Sequence, residues 1–66
     1  MNEIAYSIVE QWQLINPDKR ANFNSIRVKH AEPKLGFYTI YFNANNVMQR
    51  IKAWKIGSTW KLTYLI

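Results

Sequence analysis

Arg27, Lys29, Arg50, Lys52 and Lys61 are five of the nine lysines and arginines in this sequence. All five lie in stretches where apolar or aromatic residues occupy alternate positions, so each stands among rings and branched chains. Cations placed this way neutralise phosphates and release counterions, which gives a salt-sensitive affinity without base preference. Phe37, Tyr41 and Trp54 carry flat π faces on which nucleobases stack, worth ~1–3 kcal/mol per base. A sheet that presents both kinds of side chain is a platform for single-stranded RNA or DNA. The expected nucleic-acid-binding set is therefore Arg27, Lys29, Phe37, Tyr41, Arg50, Lys52, Trp54 and Lys61. The rings would stack on bases and the cations would meet phosphates. Ring size alone does not separate RNA from DNA.

Other chemistry finds little support. His30 stands two residues from Glu32, and such a pair can do acid–base work on RNA. A lone histidine near a strand end is more often structural. Ser7, Ser25 and Ser58 have no base nearby in sequence. No glycine-rich phosphate loop or nucleophile elbow is present. The sequence holds no cysteine, one histidine and four scattered acids. Disulfides and thiolate sites are excluded, and a structural metal is not expected. The chain reads as a binding module with no catalytic residues and no cofactor.

Composition sets the scale. Sixty-six residues make one domain over 1–66 without a linker. A hydrophobic share of 48% argues against disorder. Ordering costs of ~1.5 kcal/mol per residue nearly cancel burial in so short a chain, so oligomerisation is the remaining aid. The formal charge of +5 favours polyanions or acidic protein surfaces as partners. No segment approaches the ~20 apolar residues of a membrane span. An acid stands near the start where a signal peptide carries bases. With zero cysteine, these features suit a cytoplasmic protein and no membrane partner.

Two kinds of element must position the cations and rings. Asn2 can cap a helix with Glu3 in its first turn. Ile4, Ala5, Ile8, Val9, Trp12 and Ile15 then recur every three or four residues, the apolar stripe of an amphipathic helix. Ser7, Glu10, Gln11 and Gln13 fall mostly on the other side. Pro17 ends the helix near Ile15, and a turn or short helical segment follows through Arg20. From Phe23 the period becomes two. Ile26 to His30 reads as a first strand, residues 32–36 as a loop, and Phe37 to Asn43 as a second strand. Val47–Ile56 and Thr59–Ile66 form the third and fourth, joined at Gly57-Ser58. The fold class is α+β, with one N-terminal helix packed on a four-stranded antiparallel meander of order 1-2-3-4.

The turns fix the register. Across Gly57-Ser58, Ile56 faces Thr59, Trp54 Lys61, Lys52 Thr63 and Arg50 Leu65. Across Asn45-Asn46, Ala44 faces Val47, Phe42 Gln49, Tyr41 Arg50, Thr39 Lys52 and Phe37 Trp54. A loop over 32–36 pairs Ala31 with Phe37, Lys29 with Thr39 and Arg27 with Tyr41, with Ile26 and Val28 in the core. Phe23 has the wrong parity, which predicts a bulge or a later strand start. Val47, Gln49, Ile51, Ala53, Trp60, Leu62, Tyr64 and Ile66 share the core face. The opposite face carries the eight binding residues and no acid. A one-residue slip in any turn would put lysine or arginine into the core, which supports these registers. Trp12 and Trp60 belong to the core, and Lys55 should snorkel out past Trp60.

A plainer reading of that face stands beside the binding one. Lysines and threonines are ordinary on the solvent side of an antiparallel sheet. Aromatics there can pair for stability alone, and cation–π packing on Trp54 can be structural. The face, with Trp54, Phe37, Tyr41 and Leu65 as an apolar patch, equally suits a protein partner. The last strand, 59–66, has no proline and one charge, an edge open to a partner strand or a second copy. A protein-binding module, such as a small virus-encoded inhibitor of a larger protein, is the alternative function.

Overall fold

The computed structural model describes residues 3–65. One helix, α1 (Glu3–Ile15), precedes four strands: β1 (Ala21–Glu32), β2 (Phe37–Ala44), β3 (Val47–Ile56) and β4 (Thr59–Tyr64). The strands form one antiparallel sheet in the order β1-β2-β3-β4, and the helix covers one face. The expected cap at Asn2 and the core position of Ile66 lie outside the described residues. No described helix is long and apolar enough to cross a membrane.

The core lies where the helix stripe meets alternate sheet positions. Ala5, Ile8, Val9 and Trp12 pack against Tyr38, Ile40, Phe42, Ala44, Ile51, Ala53 and Trp60. Trp12 meets Phe42 edge-on at 4.9 Å between centroids, and Tyr38 meets Trp60 the same way at 5.8 Å. Such pairs add ~0.5–1.5 kcal/mol to their burial. The stripe is narrower than its spacing predicts. Ile4 and Ile15, at its two ends, are exposed. Val47 and Tyr64 share the core-facing parity but are exposed, although the Tyr64 hydroxyl still accepts the indole N–H of Trp12.

Both two-residue turns adopt the conformations their residues allow. Asn45 and Asn46 have φ of 51° and 64°, the double left-handed geometry that matches strand twist. Gly57 has φ of 61°. With no slack in either turn, β2–β3 and β3–β4 pair as expected, from Ala44 opposite Val47 to Phe37 opposite Trp54, and from Ile56 opposite Thr59 to Ile51 opposite Tyr64. Leu65 donates its backbone N–H to Arg50 O at 2.9 Å, which extends the same ladder.

β1 departs from the expected register. The N–H groups of Leu35 and Gly36 both donate to Glu32 O, and Gly36 takes φ of 73°. This closes a four-residue loop, so Glu32 belongs to the strand and pairs with Phe37. His30, in place of Lys29, stands opposite Thr39, and Ala31 opposite Tyr38. A bulge between Val28 and His30 absorbs the extra residue, so Arg27 still meets Tyr41. Val28 faces the core side opposite Ile40 but stays 37% exposed, because the helix does not reach it. Ile26 does pack on the core.

The irregularity expected near Phe23 is larger. Asn22 pairs with Asn43 and Arg27 with Tyr41, so four residues of β1 stand against one of β2. Ser25 replaces the missing ladder bonds. Its hydroxyl accepts the N–H of Asn43 at 2.8 Å and donates to Asn22 O at 2.6 Å. Phe23 then packs on the core and lies 4.6 Å from Tyr6 between ring centroids.

Two glutamines expected on the solvent side instead tie the helix down. The amide of Gln11 accepts the N–H of Trp60 at 2.8 Å and donates to Trp60 O. Gln13 accepts the N–H of Ala21 at 2.7 Å and donates to Asn16 O at 3.0 Å and to Lys19 O. The first joins the helix to β4. The second joins the helix end, the turn after it and the start of β1.

Candidate nucleic-acid interface

The uncovered sheet face is organised in rows across the strands. Arg27, Tyr41, Arg50 and Leu65 form one row; His30, Thr39, Lys52 and Thr63 the next; Glu32, Phe37, Trp54 and Lys61 the third. Alternation along each strand puts all three on the side opposite the helix. Seven of the eight expected residues therefore share a face. The eighth, Lys29, lies in the bulge, exposed, with no partner position in β2. His30 takes its row. Nothing in a two-residue period announces that exchange, because it depends on the length of the 33–36 loop.

Cations and rings are in contact within these rows. The Lys52 ammonium lies 4.4 Å from the Phe37 ring centroid and 5.1 Å from that of Trp54. The Arg50 guanidinium lies 5.7 Å from the centre of Tyr41. His30 stacks on Phe37 at 5.6 Å and meets the Glu32 carboxylate at 3.0 Å. Phe37, Tyr41, Lys52 and Trp54 are half-buried, whereas Arg27, Arg50, Lys61 and Thr63 are exposed. The rings are thus partly roofed by the cations beside them, and the apolar patch expected at Trp54, Phe37, Tyr41 and Leu65 is not bare. The face is also not free of acid, since Glu32 ends its third row.

Electrostatics follow from this placement. Arg27, Arg50, Lys52 and Lys61 stand on the face, with Glu32 at its corner and His30 beside it. Arg27 folds one Nη donor onto Ile26 O at 2.9 Å and leaves the rest of its guanidinium to solvent. At the Asn45-Asn46 end, a shallow concavity of about 450 Å³ is lined by Arg20, Asn22, Phe23, Asn43 and Asn46. On the other face Lys55 lies 5.0 Å over Trp60 with its ammonium in water, as its position beside the turn predicts. No three metal-ligating side chains converge among the described residues. The chain matches no protein-family model, no curated protein and no solved structure.

Proposed function

We propose that this protein binds nucleic acid through the β1–β4 sheet face, engaging single strands or backbone without strong base preference. The observation that carries the reading is the placement of Lys52 against both Phe37 and Trp54. One flexible cation covers two rings, and an incoming base can displace it. The ammonium then moves the short distance to a phosphate while the rings take the base. Arg50 and Tyr41 repeat the arrangement one row on. Arg27 and Lys61 flank the rows at either side of the sheet, where a strand crossing them would carry its phosphates. The reading assigns no catalytic step and no cofactor. Its natural setting is the cytoplasm.

The test is fluorescence anisotropy with labelled single-stranded DNA, single-stranded RNA and duplex DNA, at low and near-physiological salt. Lys52→Ala and Arg50→Ala should weaken binding and flatten the salt dependence. The log–log slope on a single strand should fall by ~0.7 for each phosphate that is no longer neutralised. Trp54→Ala should cost roughly 1–3 kcal/mol with the slope nearly unchanged. No binding to any of the three at low salt overturns the proposal. The same face would then be the docking surface of a protein partner, where Trp54→Ala dominates and salt matters less.

A further inference from the structure

The outer edge of β4 is open over only part of its length. Leu65 donates to Arg50 O, so residues 59, 61, 63 and 65 direct their backbone groups toward β3, and 60, 62 and 64 direct theirs outward. Gln11 occupies both outward groups of Trp60. The outward N–H and C=O of Leu62 and Tyr64 remain along the open edge. Beside them lies a groove of about 190 Å³ between the helix end and the strand, lined by Trp12, Ile15, Asn16, Ile51, Leu62 and Tyr64. Ile15 is 60% exposed at its rim, and Tyr64 is 53% exposed.

We infer that this edge pairs with the same edge of a second copy, about a two-fold axis through Thr63. Leu62 of one copy and Tyr64 of the other then exchange both backbone hydrogen bonds, and the second such pair follows by symmetry. Thr63 meets its own counterpart in the non-bonded position between them. The exposed Tyr64 and Ile15 of each copy come together over the grooves.

Charge selects the occupant. The groove lining contains no charged side chain in a chain of net charge +5. Lys61, the only charge on β4, stands on the opposite face, opposite Trp54. Two copies meet here with no charge set against charge within the groove, whereas an acidic peptide finds no counter-charge there. The segment left open is short and self-complementary, and it lacks the proline, charge or bulge that blunts a solitary edge. A chain this small also gains most from burial that its own core cannot supply. The pairing continues the sheet, so the two basic faces lie side by side. It does not depend on what those faces bind.

Sedimentation equilibrium over a concentration series reaching about 1 mM tests this, since weak pairings have dissociation constants in that range. The wild-type protein should move from 7.9 kDa toward twice that mass. Thr63→Glu, at an exposed position facing Lys52, should leave the fold intact but sets two carboxylates against each other across the axis. It should raise the dissociation constant by about tenfold or more. Ile15→Lys at the groove rim should do the same. Leu35→Glu, in the β1–β2 loop, should leave association unchanged. A wild-type protein monomeric throughout overturns the inference. So does a dimer that survives either Ile15→Lys or a Thr63→Glu variant with native circular dichroism. If Thr63→Glu fails to fold, Ile15→Lys decides alone.

Discussion

Replacing Gln11 with alanine should destabilise the protein out of proportion to a surface amide. The side chain makes two partly buried hydrogen bonds to one residue of β4, accepting from Trp60 N and donating to Trp60 O. Each is worth about 1 kcal/mol net, so their loss costs about 2 kcal/mol. Alanine returns only a few tenths through its better helix propensity. In a domain of this size 1 kcal/mol moves Tm by roughly 4–8 °C, so the variant should melt about 8–15 °C lower. Circular dichroism melts of wild type and variant measure it directly. Gln11→Glu separates the hydrogen bonds from packing. It keeps the shape but, once ionised, turns an oxygen toward Trp60 O. It should be at least as unstable at neutral pH. Protonation restores the donor in the folded state, so that variant should recover relative to wild type as pH falls through the carboxyl range. A Gln11→Ala shift of less than about 2 °C would show that the amide is a spectator and refute the clamp.

Two further substitutions probe the frame around the site. Tyr64→Phe removes the acceptor of the Trp12 indole N–H, a 3.0 Å bond, and should cost about 1 kcal/mol in urea unfolding with an unchanged m-value. Asn46→Gly relieves a left-handed φ of 64° that glycine adopts freely. It should stabilise by about 0.5 kcal/mol after the greater entropy of the unfolded glycine is counted, and a lower urea midpoint would contradict the turn assignment.

Three strands of this fold were legible because their turns leave no freedom. Asn45-Asn46 and Gly57-Ser58 admit one tight geometry each, and alternation carries that register to the far end of every strand. Tyr41 opposite Arg50 and Trp54 opposite Lys61 follow without any knowledge of packing. β1 was not legible in the same way. The loop from Pro33 to Gly36 is one residue shorter than its breakers suggest, and the two irregularities that compensate are held by Ser25 and backbone groups rather than by a period. That is why Lys29 fell from its row and His30 entered it. Gln11 and Gln13 were illegible for another reason. An amide on a helix flank reads the same whether it meets water or a strand 49 residues away.

The meander also sets an order of events. Each strand pairs with its neighbour in sequence across a joint of two or four residues, so little chain entropy is lost in closing them. The helix–β4 contact is different. Gln11 reaches Trp60 and Trp12 reaches Tyr64 across 49 and 52 residues. A chain wired like this should zip its hairpins early and seat the helix on the last strand late. Interactions that form after the rate-limiting step are the ones whose loss hastens unfolding while leaving refolding unchanged. The glutamine that joins the helix to β4 should therefore act as a latch on the native state: in stopped-flow measurements Gln11→Ala should speed unfolding and leave refolding nearly unchanged.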